Sequence, residues 1–197
     1  MLSERQWGVP WAGMGRITLM SSISLDGMFE APGHDISWGR VDEEVHFEIN
    51  AAVAQAGAVL NGRRTWELMV PFWPEVESVP DATPATIEYS RIFTRTPQYV
   101  FSRTLTESEW ATKIFTELDP DVIRALAERH GSLVVGAGEI GSQLLRLGLV
   151  DELRFYLNPI VLGEGTRALP PDLRLDLELT ETRSFGNGVV LVRYDIR

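Results

Sequence analysis

The chain of 197 residues contains no cysteine. That absence excludes a disulfide framework, a thiolate metal site and a cysteine nucleophile. Lysine is nearly absent as well: of 18 basic residues only Lys113 is lysine. Any bound anion must therefore be held by arginine or by backbone N–H groups. The three histidines, His34, His46 and His130, are scattered. None makes the i, i+4 pair that sets two imidazoles on one helix face, so no metal site is expected. Acids outnumber bases, 28 to 18, for a net charge of −10. A chain-wide basic footprint for nucleic acid is missing. No apolar run approaches the roughly 20 residues that cross a bilayer, so no membrane partner is expected. Residues 1–14 lack a basic start followed by an apolar core and read as an N-terminal tail, docked only if Trp7 and Trp11 pack it. A cytoplasmic location follows as the default, with residues 15–197 as one domain.

What is present reads as alternating strands and helices. Segment 16–25 is β-branched and apolar and runs into the turn pair Asp26-Gly27. A loop over 28–40 precedes a helix over 42–56, with Asp42 as N-cap and Val45, Ile49, Ala52, Val53 and Ala56 as its buried stripe. A short strand, 57–60, ends at Asn61-Gly62, and Arg63-Arg64-Thr65-Trp66 opens the next helix. Four prolines make 71–84 an irregular loop, with a short helix over 84–92. Strand 98–101 leads to Ser102-Arg103-Thr104. Asp119-Pro120 caps a helix that stops at Gly131. Strand 132–135 enters Gly136-Ala137-Gly138-Glu139-Ile140-Gly141 and a helix through Leu147. Beyond strand 152–158, residues 172–184 alternate, with Leu173, Leu175, Leu177 and Leu179 on one side. With 189–196 they predict a half-buried antiparallel hairpin about Gly186-Asn187-Gly188. The fold class is α/β: a mostly parallel central sheet, an antiparallel C-terminal hairpin, and helices on both faces.

Three strand ends carry similar chemistry. The turns at 61–65, 102–104 and 136–141 all open toward the carboxyl edge of the sheet, where ligands bind in open α/β folds. They offer three arginines, several hydroxyls and two helix starts, an inventory suited to a ligand with several phosphates. Each turn alone also reads as packing or as a solvated helix start. Gly136-x-Gly138-x-x-Gly141 matches a dinucleotide fingerprint, but a Rossmann domain places it early and needs an acid about 20 residues on. Asn158-Pro159 stands there instead, so that reading is rejected.

The ordered motifs resemble the dihydrofolate reductase-like superfamily. Asn61 to Glu67 resembles its G-R-x-T-W-E signature, Val100 to Arg103 its serine-rich strand end, and Val134 to Ile140 its later glycine segment. Ser24-Leu25-Asp26-Gly27, Leu149 to Leu153 and Gly163-Glu164-Gly165 look closer to the reductase domain of bifunctional riboflavin deaminase-reductases and their stand-alone relatives. The resemblance implies a three-layer sandwich and NADPH as cofactor. By that resemblance Gly62, Arg63, Arg64 and Thr65 meet the pyrophosphate and 2′-phosphate, and Ser102 and Arg103 grip the 2′-phosphate. Gly136, Ala137, Gly138, Glu139 and Ile140 lie along the pyrophosphate and nicotinamide ribose. Ala137 replaces the second of two adjacent glycines, which matters if that position needs positive φ.

On the substrate side the resemblance implies a carboxylate. Asp26 is one candidate and Glu44 another, with Asp42, Glu43 and Glu44 also reading as first-turn acids that stabilise a helix dipole. Trp38, Trp66 and Phe72 are candidate walls for a flat ring, Trp66 reading as core. The expected activity is hydride transfer to a pteridine-like or ribosylaminopyrimidine substrate, as in the 5-amino-6-(5-phosphoribosylamino)uracil reductase of riboflavin biosynthesis. A dihydrofolate reductase and a non-catalytic nucleotide-binding module are the alternatives. Without deaminase ligands, a riboflavin role would be the reductase step alone. The leucine-rich hairpin face suggests a homodimer.

Overall fold

The computed structural model describes residues 15–197, so the reading of 1–14 as a tail lies outside the described residues. The strands are β1 (Arg16–Ser24), β2 (Met28–Glu30), β3 (Ala58–Gly62), β4 (Gln98–Phe101), β5 (Lys113–Phe115), β6 (Ser132–Val135), β7 (Glu152–Asn158), β8 (Thr166–Arg167), β9 (Leu177–Ser184) and β10 (Val190–Ile196). The helices are α1 (Glu43–Ala54), α2 (Arg63–Met69), α3 (Pro84–Arg95), α4 (Pro120–His130) and α5 (Glu139–Arg146). Eight strands form one sheet in the order β5-β4-β3-β6-β1-β7-β10-β9, and β2 pairs with β8 in a separate two-stranded ribbon. β5 to β7 run parallel across the sheet, and β10 and β9 close it antiparallel.

Period-2 alternation makes a three-layer sandwich from this sheet. Ile17, Leu19, Tyr99, Phe101, Leu133, Val135, Leu153 and Phe155 face Ile123 and Leu126 of α4 and Leu144 and Leu145 of α5. The intervening residues face the other way. Tyr156 and Leu191 meet Val45 of α1, and Val100 meets Trp66 of α2 and Phe93 of α3. Trp66 is core rather than pocket wall, and its Nε1 donates to Ser108 Oγ at 3.0 Å, so its one polar atom is satisfied.

Five local expectations change. The loop over 28–40 contains β2 and a 3-10 turn at Pro32–His34, and the proline-rich loop contains another at Trp73–Ser78. α3 runs on to Arg95, and β5 pairs with β4 where no strand was expected. The last strand pair is shorter than the leucine alternation suggests. Leu173 and Leu175 pack on the core from a loop, whereas Leu177 and Leu179 lie on an edge strand exposed along nearly its whole length. Alternation reports which side chains share a face. It does not report whether another layer covers that face.

Candidate functional site

Register places a notch at the carboxyl edge. β6 ends at Val135, level with Leu19 of β1 and Leu60 of β3. β3 continues to Gly62, and β1 continues to Ser24, which lies opposite Asn158 at the end of β7. The chain leaves β6 through Gly136 to Gly138 and enters α5, so this turn fills the floor between two taller strands. Its fit is tight on the protein side: a Cβ at Gly141 would stand 2.6 Å from the Gly136 carbonyl oxygen and 2.9 Å from Leu19 Cδ1. A Cβ at Gly136 would meet nothing within 4 Å. The backbone there is open to a ligand.

The glycine turn also binds the notch together. A Cβ at Gly62 would lie 3.4 Å from Ile140 Cγ1, and one at Gly138 would lie 3.6 Å from the Phe29 ring of β2. Gly138 has φ 122° and ψ −162°, a conformation essentially restricted to glycine. Ala137 keeps negative φ, since His34 is the only described non-glycine residue with positive φ. The strained position falls one residue later than the double-glycine pattern suggests, which is why alanine is accommodated.

Helix starts differ in how they are capped. α1, α3 and α4 are capped by the side chains of Asp42, Thr83 and Asp119. α2 and α5 are preceded by Gly62 and Gly138, and neither has a side-chain cap. Their first N–H groups are left for solvent or an anion. Gly62 is level with Phe101, which brings Ser102 and Arg103 beside Arg63 and Arg64. Arg63 is tied to Glu67 at 2.8 Å, while Arg64 and Arg103 are exposed with no ion-pair partner among the described residues. Thr65 and Glu139 are exposed too, and Glu139 accepts from Gln143 Nε2 at 2.7 Å. Ser102 is buried; its Oγ accepts the N–H groups of Thr104 and Leu105 at 3.2 and 2.8 Å, so it shapes the turn that presents Arg103.

Past β1, Asp26 links two loops. It accepts from Ser24 Oγ at 2.6 Å, from the Leu162 N–H at 3.1 Å and from the Gly163 N–H at 2.8 Å. These bonds favour the charged form, the Ser24 hydroxyl most, and hold its pKa down at about 2 instead of 3.8. Asp26 is therefore an anion at neutral pH. Asn158 completes the joint: its Oδ1 accepts the Arg40 N–H at 2.7 Å, and its Nδ2 donates to the Tyr156 carbonyl at 3.0 Å. Glu44 sits on the exposed first turn of α1, where it accepts the Gly186 N–H at 3.1 Å and pairs with Arg183 at 3.3 Å. No hydrogen bond joins it to Asp26 or to the glycine turn among the described residues.

Comparison with known proteins decides the family. A model of the RibD C-terminal domain matches residues 16–191. The chain belongs to the RibD C-terminal domain family. It is 30% identical over 183 residues to the uncharacterized protein YyaP of Bacillus subtilis, covering 91% of this chain and 94% of that one. Among solved structures, it superposes on a diaminohydroxyphosphoribosylaminopyrimidine deaminase/5-amino-6-(5-phosphoribosylamino)uracil reductase from Thermotoga maritima with a TM-score of 0.64 at 16% identity. That match covers 93% of this chain and 57% of the other. Dihydrofolate reductase from Enterococcus faecalis, complexed with NADP(H), gives a TM-score of 0.61 at 15% identity over 93% of this chain and 98% of that one. These solved structures share the fold of this chain, the dihydrofolate reductase-like three-layer sandwich.

Within this RibD-type fold, the structure gathers Gly62 to Thr65, Ser102, Arg103 and Gly136 to Ile140 at one edge of the sheet. Three positioning residues were missed in the sequence. In the sequence Ser24 stands only as part of the Ser24-Leu25-Asp26-Gly27 motif, Asn158 only where a Rossmann acid would fall, and Phe29 without a signal. A serine two residues before Asp-Gly at a strand end was the one available signal, since an Asx turn often recruits such a hydroxyl. No helix of the described residues is long and apolar enough to cross a membrane.

Proposed function

We propose that the protein is an NADPH-dependent reductase that transfers hydride to a pteridine-like or aminopyrimidine substrate. The observation that carries this reading is the notch itself: a backbone open at Gly136, two uncapped helix starts, and unpaired Arg64 and Arg103 along one edge. These fit a pyrophosphate-linked dinucleotide with a further phosphate. Gly62, Arg63, Arg64 and Thr65 would meet the pyrophosphate side, Arg103 the 2′-phosphate on the turn built by Ser102, and Gly136 to Ile140 the backbone-facing length of the cofactor. The bound cofactor would supply the hydride. The protein's own part is to fix the two reactants side by side and exclude alternatives. The test is NADPH oxidation with a panel of dihydropteridines and aminopyrimidine ribosides, with NADPH titration in parallel. NADPH binding without oxidation by any of them would favour the non-catalytic module.

Of the two acids, Asp26 lies beside the β1 end and is held charged, so its role is to position the 160–163 loop while water supplies the proton. Glu44 is engaged by the hairpin turn and is assigned there. Asp26→Asn would set an amide N–H against a donor from Leu162 or Gly163. Turnover should fall about tenfold, the scale of one charge-assisted hydrogen bond, with NADPH affinity little changed. Because the folded pKa lies below the unfolded value, the stabilisation from Asp26 is complete above about pH 4 and lost as pH falls through about 2. Acid unfolding of the variant should lose that component. Unchanged turnover would leave Asp26 as a turn residue.

The homodimer forms part of the same proposal. Leu177 and Leu179 are 39% and 53% exposed on the edge strand β9, beside half-buried Tyr194 and Ile196 of β10. An open edge strand that exposes leucines is a pairing surface. Light scattering should give twice the chain mass, and Leu179→Arg should give a folded monomer. A monomeric parent would overturn the dimer.

A further inference from the structure

His46 carries hydrogen-bonding capacity that the fold does not use. It lies in the first turn of α1, on the face turned to α3. Its imidazole is half-buried, with its centroid 5.9 Å from the Trp73 ring and 5.9 Å from the Tyr89 ring of α3. Neither ring nitrogen makes a hydrogen bond among the described residues, and neither is sealed from solvent. The one fully buried side-chain polar atom there without a partner is Asn50 Oδ1, one turn further along α1. Asn50 Nδ2 donates to the Ala85 carbonyl and to Glu88 Oε2, both at 2.8 Å, which fixes the amide and leaves Oδ1 as a spare acceptor.

Position gives this side chain its interest. α1 is seated on β7 and β10 through Val45, against Tyr156 and Leu191, whereas Trp73 and Tyr89 pack around Trp66, Phe93 and Val100 of β4. Strands β1, β6 and β3 lie between. The contact of His46 with Trp73 therefore bridges the gap between α1 and α2, on the sheet face that includes β6, the strand that leads into Gly136. α1 starts at the carboxyl edge, where the Arg40 N–H donates to Asn158 at the end of β7. The charged groups that act on the ring are Glu43 of α1 and Glu88 of α3. They favour its protonation, but burial outweighs them and holds the pKa below 6.5, so the ring is neutral at pH 7. Tyr89 is a neutral phenol as well, its pKa pushed up to about 12 by burial. A neutral imidazole has one N–H and one lone pair. Glu88 and Asn50 Oδ1 are acceptors on the α3 side and draw the N–H, which leaves the other nitrogen as an acceptor.

We infer that His46 is a specificity-determining residue, whose imidazole lone pair accepts a hydrogen bond from a ring N–H of a flat, uncharged lactam heterocycle. This rests on the reductase reading and names the edge of the guest that the protein selects. Trp73 beside it offers an apolar face to the same ring. A guest without that N–H leaves the acceptor unpaired in a half-buried place, and a cationic guest gains nothing from a neutral imidazole.

The experiment uses the full chain loaded with NADPH and two probes, 6-methyl-7,8-dihydropterin and the same ring methylated at its lactam nitrogen. Binding is read by fluorescence quenching and turnover by NADPH oxidation. The parent should bind the unmethylated probe at least about tenfold more tightly. His46→Phe keeps a ring in the seam and removes the acceptor. KM for the unmethylated probe should rise about tenfold with kcat and NADPH affinity within about twofold, and the two probes should become equal. His46→Asn should restore part of the preference, because its amide oxygen accepts again. In the parent the preference should fade from about pH 7 to about pH 5 as the imidazole takes up a proton, and His46→Phe should abolish that dependence. A parent that binds both probes equally, or a folded His46→Phe that keeps the preference of the parent, would overturn the inference and leave the reductase standing. If His46→Phe does not fold, His46→Asn and the pH profile of the parent decide the same question. Failure of both probes to bind the loaded parent would also overturn it. If NADPH itself does not bind, the reductase reading falls and takes this inference with it.

Discussion

Gly136→Ala is expected to weaken NADPH binding by at least about tenfold while leaving the melting temperature unchanged or slightly raised. The added methyl meets no protein atom within 4 Å, and the residue does not have positive φ. In the free protein the substitution should be neutral or worth about 0.4–1 kcal/mol of stabilisation, because alanine restricts the unfolded chain. Its only cost is to whatever must approach the backbone there. Gly141→Ala is the counterpart. That Cβ would stand 2.6 Å from the Gly136 carbonyl oxygen, so the turn must move off β6. Stability should drop by about 1–3 kcal/mol, and affinity should drop with it. Thermal unfolding and fluorescence titration of both variants separate the two effects. If Gly136→Ala binds NADPH as tightly as the parent, no ligand backbone lies against that residue.

The second large effect is on cofactor choice. Arg103→Ala should cost NADPH about 10- to 100-fold in affinity, the equivalent of the roughly 1.5–3 kcal/mol carried by a charge-assisted hydrogen bond, and leave NADH nearly unchanged. Arg103 is exposed and unpaired, and its turn is built by Ser102 accepting two backbone N–H groups. Removing the guanidinium should therefore disturb no internal contact. Arg103→Lys should recover part of the loss, since charge returns without the planar fork. Equal losses for both nucleotides would remove the reason for placing the 2′-phosphate at this turn. The comparison also bears on Arg64, whose guanidinium has no carboxylate partner, in contrast to Arg63, which already holds Glu67.

Local signals carried much of the fold. Apolar runs such as Leu133-Val134-Val135 specify strands because a parallel strand is buried on both faces. Asp42 and Asp119 mark helix starts because a carboxylate satisfies an orphan N–H, and both do so in the structure. The order of strand, turn and helix then placed the glycine and arginine turns at one edge, since consecutive parallel strands must present their carboxyl ends together. β2, β5 and β8, each two or three residues long, left no periodic signal. They exist because neighbouring backbone offers partners, a long-range fact.

The site divides along the same line. Composition alone required arginine or backbone N–H groups for any phosphate, and glycine spacing alone marked the turn after β6. Only the folded chain decided that positive φ falls on Gly138 and spares Ala137, that Gly136 is open while Gly141 is walled in, and that Ser102 builds a turn. It also decided how far the Asp26 pKa falls: the Ser24 hydroxyl lowers it most, and two further donors come from residues 136 and 137 positions away in sequence. Residue type and short-range spacing are written in the chain. The partners that set a pKa, free an arginine or leave a backbone uncovered are supplied by segments that meet only when the sheet forms.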